Sequence, residues 1–209
     1  MLGALTMTSR IRTLRAGFTL IELLIVVAIA AVLLALVAPS FTDMIAMQRL
    51  RGAHDQLATD VQFARSEAAR RGIPVHVRVQ SKSAGGPACY ILFTDRALSA
   101  SLVDFSTACD CSQAPGSRCS AATTEEIKTV ELEPFTGLDL TAINQSRVGF
   151  DPLTGAMLVK TFDSSAPPPT EFLVDTSLDS ARRLRLWVAF SGRVRVCSPS
   201  GSSVKAAAC

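Results

Sequence analysis

Chemistry-bearing motifs are scarce in these 209 residues. There are only two histidines, His54 and His76, and they do not form a metal-spaced pair; no GxSxG and no Walker glycine loop occurs. Enzyme chemistry therefore has little support, and no catalytic residue, metal site or cofactor is expected. Cysteine is missing from the first part of the chain, since all six lie at or beyond Cys89. Excess positive charge is missing too. Lys+Arg number 21 against 18 Asp+Glu, and Arg10, Arg12 and Arg15 account for the difference, leaving 18 of each sign beyond Gly17. A globally basic nucleic-acid coat is excluded by that balance. The length allows one packed domain plus a membrane segment, but not a many-helix transporter.

What the chain has in abundance is apolar sequence, and one run dominates. Leu23 to Thr42 is twenty residues without a charge, the length an apolar helix needs to cross the roughly 30 Å hydrocarbon core of a bilayer. Arginines 10, 12 and 15 precede it, while the first cations after it are Arg49 and Arg51, so the positive-inside bias places the N-terminus in the cytoplasm. The cysteines then face an oxidising compartment, the periplasm of a bacterium. A cleaved secretory signal fits poorly, because its one Ala-x-Ala, at 28–30, lies inside the run. Glu22 argues further against it, since a carboxylate near membrane depth is expensive and normally has a partner.

Beyond Thr42 the pattern turns amphipathic. Met47, Leu50, His54, Leu57, Val61, Ala64 and Ala68 recur three and four apart, which extends the helix to Arg71. Arg70 and Arg71 suit its negative end, Gly72 suits the left-handed cap, and Pro74 prevents resumption. From Phe18 this is one helix of 54 residues, with a bend or local melting expected at Pro39. Arg65 and Glu67 are expected to be solvated, and His54 to be a hydrogen-bonded packing residue. From Ile73 the period becomes two. Val75, Val77 and Val79 point to a core, with His76 outward, and further strands are expected at 90–94, 127–132, 138–142, 148–150, 157–162, 171–176, 184–189 and 193–197. Residues 97–124 read as a cysteine-bearing loop. The fold class is α+β: a long N-terminal helix, half membrane-embedded and half amphipathic, packed on an antiparallel β-sheet head.

Zinc is a poor fit for Cys89, Cys109, Cys111 and Cys119, because Cys109 and Cys111 are too close for the usual C-x₂₋₄-C spacing. Disulfides fit better. A bridge from Cys109 to Cys111 is strained, which leaves Cys89 joined to one of that pair and Cys119 to the other. The segment 181–209 carries Arg182, Arg183, Arg185, Arg193, Arg195 and Lys205 and no acid. A two-residue hairpin turn there would bury arginines on the core face. A three-residue loop, 190–192, with Gly192 left-handed instead pairs Trp187 with Arg195. Arg183, Arg185, Trp187, Arg193 and Arg195 then share the exposed face, where guanidinium groups around an aromatic suit a nucleic-acid strand. A solvated hairpin that resists aggregation, or one that docks an acidic neighbour, is the plainer alternative.

Gly17-Phe18-Thr19-Leu20-Ile21-Glu22-Leu23-Leu24 resembles the type III signal of type IV pilins and type II secretion pseudopilins. Ala64 to Arg71, Tyr90 to Asp95, Val148 to Pro152 and Gly192 to Cys197 together resemble the GspH/FimT family of minor pseudopilins. The resemblance implies cleavage by a prepilin peptidase between Gly17 and Phe18, methylation of the new terminus, and pairing of Glu22 with the terminal amine of a neighbouring subunit. It implies a cytoplasmic leader at 1–17, a transmembrane half at 18–42, an amphipathic half at 43–72 and a periplasmic head at 73–209; starting at Met7 would give the leader a more usual length. Other major and minor pilins or pseudopilins and the inner membrane are the implied partners, and Cys197 with Cys209 would close the C-terminal loop. Two roles follow: a FimT-like minor pilin of the type IV pilus, in some bacteria a DNA binder through residues corresponding to Gly192–Arg195, or a GspH-like subunit of type II secretion.

Overall fold

The computed structural model describes residues 18–82, 86–96, 109–133, 136–158 and 170–209, without the side chains of 36–40. The leader, with Gly17, lies outside the described residues. Two compact units divide the chain, Met1–Asp43 and Met44–Cys209. One helix, α1, runs over Leu20–Arg71. It starts two residues later than Phe18 because Thr19 caps it, its Oγ1 accepting from Glu22 N at 3.3 Å. It stays helical through Pro39, so the expected local melting does not occur. A proline removes one ladder bond, and the apolar neighbours on both sides favour helix. Gly72, at φ 67°, ends it, its N–H bonding Ala68 O at 2.9 Å.

In the first unit the apolar side chains are exposed on all sides: Leu20, Ile21, Leu23, Leu24, Ile25, Val26, Val27, Ile29, Val32, Leu33 and Leu34. Among the described residues no helix is long and apolar enough to cross a membrane; the stretch Leu23 to Thr42 includes residues 36–40.

In the second unit the helix stripe is covered. Leu50, His54, Leu57, Val61, Ala64 and Ala68 are fully buried, and Met47 packs beside them. Among the described residues nine strands follow: β1 Val75–Gln80, β2 Cys89–Asp95, β3 Thr124–Glu131, β4 Asp139–Ala142, β5 Arg147–Phe150, β6 Met157–Leu158, β7 Glu171–Ser177, β8 Arg183–Ala189 and β9 Val194–Cys197. They form two antiparallel sheets, ordered β3-β2-β1-β5-β6 and β4-β7-β8-β9. The expected strand 157–162 is described only to Leu158; its remainder lies outside the described residues. Val75, Val77, Tyr90, Leu92, Val148, Phe150, Phe172, Val174, Leu184, Leu186 and Val188 share one core with the helix stripe.

Two polar residues on α1 tie it to both sheets. His54 Nδ1 lies 2.9 Å from Thr176 Oγ1 on β7, and Asp60 accepts from Tyr90 OH on β2 and Lys128 Nζ on β3, each at 2.7 Å. Burial holds the His54 ring neutral, its pKa lowered to about 4. Burial, reinforced by Asp60, pushes the Tyr90 phenol above its usual range.

The five-stranded sheet is covered on its second face too. Cys89, Ile91 and Phe93 form a smaller core with Cys109, Cys111 and Cys119, locked by disulfides Cys89–Cys111 and Cys109–Cys119. His76 is therefore not outward, as alternation alone would have it. It is fully buried beside Phe93, ring centroids 5.5 Å apart, and burial lowers its pKa well below the ordinary value. Its cross-strand partner is Gly149, where a β-carbon would collide with the imidazole. That contact explains the glycine in Val148 to Pro152.

Candidate functional site

The hairpin β8–β9 has the three-residue loop. Ala189 N bonds Arg193 O at 2.9 Å, Gly192 N bonds Ala189 O at 2.8 Å, Gly192 has φ 76°, and Trp187 pairs with Arg195. Leu184, Leu186 and Val188 are buried, with Val194 and Val196 packed against the same core. Arg183, Arg185 and Trp187 are half-buried on the opposite face, and Arg193 and Arg195 are exposed.

That face is not free of acid, contrary to the reading of the segment by itself. β7 is the cross-strand neighbour of β8, and the register sets Asp175 opposite Arg185 and Glu171 opposite Ala189, diagonal to Trp187. Arg185 donates to both oxygens of the buried Asp175 at 2.6 and 2.9 Å. Arg183 approaches the same carboxylate at 3.8 Å and donates to Ser200 O at 3.1 Å. Trp187 Nε1 donates to Glu171 Oε2 at 2.5 Å. Of the five residues, Arg193 and Arg195 keep their donors unused among the described residues. Arg195 stacks over the Trp187 ring, 5.2 Å from its centroid. Beside them opens a cleft of about 620 Å³ lined by Glu171, Trp187, Arg195 and the C-terminal residues Ala207, Ala208 and Cys209, held by the disulfide Cys197–Cys209.

Arg193 faces a different concavity, also of about 620 Å³, where three separated motifs meet. Gln62, Arg65, Ser66 and Ala69 come from α1, Pro152 to Gly155 from the β5–β6 turn, and Gly192 to Val194 from the hairpin tip. Asp151 builds the turn. It accepts from Leu153 N and Thr154 N at 3.0 and 2.8 Å and from the Thr154 hydroxyl at 2.8 Å, and the Thr154 bonds hold its carboxyl below the usual range. Gly155 and Gly192 both have positive φ, and a β-carbon on them would stand 2.7 and 2.9 Å from Arg65 Nε. Arg65 is thus half-buried in a socket of two glycines rather than solvated. Residue-by-residue reading missed this place; the clue was that an arginine and two glycines each sat in or beside a separate motif.

Glu67 is not solvated either. It is 4% exposed and accepts from Arg70 at 2.7 and 2.5 Å and from Arg71 at 2.6 Å, so these hydrogen bonds lower its pKa to about 2. Phe18 is exposed, as is Glu22 in the first helical turn. No cluster of His, Cys, Asp or Glu that could hold a metal occurs among the described residues.

Residues 12–38 match the prokaryotic N-terminal methylation motif, and residues 53–192 match the family described as type II transport protein GspH. The pilin-like protein PilA1 of Thermus thermophilus is 42% identical over 83 residues, 39% of this chain and 49% of the relative, so the match spans about half the relative's length. Two crystal structures of the type IV minor pilin FimU from Pseudomonas aeruginosa are similar at 15% identity. They cover 71% and 70% of this chain and 88% and 90% of theirs, with TM-scores of 0.45 and 0.43.

Proposed function

Because the chain belongs to the GspH family, and is thereby a minor pilin or pseudopilin of the type IV pilus or type II secretion kind, we propose that it is cut between Gly17 and Phe18, methylated at Phe18, anchored in the bacterial inner membrane and built into a filament with its head in the periplasm. The family is structural, and the proposed partners are the prepilin peptidase and other pilins or pseudopilins. One observation carries the reading: side chains from Leu20 to Leu34 are apolar and exposed all round, interrupted by Glu22 alone. Such a surface needs lipid or neighbouring helices. A carboxylate within it is far less costly beside an amine than alone, and cleavage after Gly17 would place the terminal amine of a neighbour within the same apolar layer. The test is Glu22→Ala in cells. The variant should insert in the inner membrane and fail to cross-link to neighbouring subunits; undiminished cross-linking would refute the pairing.

A GspH-like secretion role and a FimT-like pilus role share this anchor. The unused donors of Arg193 and Arg195, with Arg195 stacked on Trp187, favour the second, with a single nucleic-acid strand as ligand. Arg183 and Arg185 leave the contact set on this reading, since Asp175 already holds them. Fluorescence anisotropy of a labelled thymidine oligonucleotide with the full chain in non-ionic detergent tests it. Binding should weaken with salt and with Arg195→Gln, and its absence at low salt would leave the secretion role as the better account.

A further inference from the structure

The head uses up most of its arginines. Arg70 and Arg71 are held by Glu67, Arg96 by Glu125, Arg118 by Glu126 and Glu131, Arg182 by Asp179, and Arg183 and Arg185 by Asp175. Arg65 is the exception that is also built in. Its guanidinium is seated against Gly155 and Gly192, yet it has no hydrogen bond or ion pair among the described residues. Arg193, next to Gly192, lines the same groove, and among the described residues its donors are unused and no carboxylate lines the groove. Solvation alone requires no socket, because a solvated arginine needs neither a left-handed glycine beneath it nor a second one pressed against the first turn.

We propose that Arg65 and Arg193 together form a phosphodiester-binding groove, in which Arg65 contacts the nucleic-acid backbone directly. This rests on the nucleic-acid reading above and extends it to a residue on α1, outside the hairpin. Two planar forks in one concavity suit an oxyanion with several acceptor oxygens. Gln62, exposed at the same groove, adds a neutral donor. Arg195 and Trp187 line a separate cleft of the same hairpin, so a strand following the hairpin would meet phosphate contacts at one cleft and a stacking surface at the other. The observations favour nucleic acid over an acidic protein segment because the exposed Arg195 guanidinium, held over the Trp187 ring, offers a plane on which a base can stack, which an acidic side chain lacks the ring to use.

The experiment titrates a fluorescein-labelled dT20 oligonucleotide with the full chain in non-ionic detergent, at several salt concentrations. Arg65→Gln should weaken binding about tenfold and lower the log–log salt slope by about 0.7, one phosphate contact on a single strand. Gln62→Glu serves as a second variant: Gln62 is exposed on α1, so the change adds a negative charge to the groove while leaving the socket intact. It too should weaken dT20 binding, with the unfolding midpoint unchanged. If the wild-type chain fails to bind dT20 at low salt, the nucleic-acid reading falls and this proposal with it. If wild type binds and Arg195→Gln weakens it, while Arg65→Gln and Gln62→Glu keep the wild-type affinity and slope, only the present proposal is overturned. A labelled hexaglutamate peptide is the third arm. Its Arg65-dependent binding, with dT20 binding insensitive to Arg65, would overturn the phosphodiester and identify an acidic partner.

Discussion

Along the 52 residues of α1, the stretch from Leu20 to Leu34 shows Leu, Ile and Val side chains to the outside on every side, while from Leu50 to Ala68 the apolar residues Leu50, Leu57, Val61, Ala64 and Ala68 form one fully covered stripe and only Phe63 among the large ones is exposed. The two stretches obey different rules. The second has its requirement met inside its own unit, and it can therefore carry polar residues with assigned partners, His54 to Thr176 and Asp60 to Tyr90 and Lys128. The first has no such cover, so its surface has meaning only for something outside the chain. An apolar helix that its own protein leaves bare is an assembly or membrane element; an amphipathic one is a scaffold.

Truncating each stretch sharpens that contrast most. Leu57→Ala should destabilise the head by about 2–5 kcal/mol through the cavity it leaves, while Leu24→Ala should change head stability by less than about 0.5 kcal/mol. Denaturant unfolding of the full chain in detergent, followed through the single tryptophan, Trp187, reads both. Equal losses would break the contrast.

Acid comes next in size. His54 is held neutral, with a folded pKa of about 4 against an ordinary 6.5, so its contribution is fully present above pH 6.5 and is lost as pH falls toward 4. The decline amounts to about 3 kcal/mol at most, and the buried His76 acts in the same direction. Unfolding midpoints measured from pH 7 to pH 4 should fall steadily and fall less in His54→Gln. A pH-independent midpoint over that range would contradict the burial of both rings.

Glycines give the smallest and most discriminating effects. Gly192→Ala should cost roughly 1–3 kcal/mol, since φ is 76° and the new methyl meets Arg65 and the Gly155 backbone. Gly52 in α1 has nothing within 4 Å of the place a β-carbon would take, so Gly52→Ala should stabilise by about 0.5–1 kcal/mol. Thermal midpoints moving in opposite directions would bear this out, and a shift in the same direction would not.

Much of this architecture is legible in the sequence because it follows from periodicity. The stripe Met47 to Ala68 identifies the buried face of α1, and the burial penalty on Arg193 and Arg195 selects the three-residue hairpin loop. What periodicity cannot supply is the identity of a neighbour distant in sequence. Asp175 neutralises Arg185 only because β7 lies beside β8, and His76 is buried only because the sheet acquires a second, disulfide-locked cover. Arg65 reads as an ordinary helix-end residue until the β5–β6 turn and the hairpin tip close around it. Helix continuity through Pro39 is a further case, where a local breaker is outweighed by cooperative helix on both sides.

In the proposed maturation the bare apolar stretch survives because the cut falls before it. Intact-mass spectrometry of the chain recovered from cell membranes tests this most directly. A single species beginning at a methylated Phe18 and retaining Leu20 to Leu34 is expected. A chain that begins beyond Ala30, with the apolar stretch removed, would contradict it.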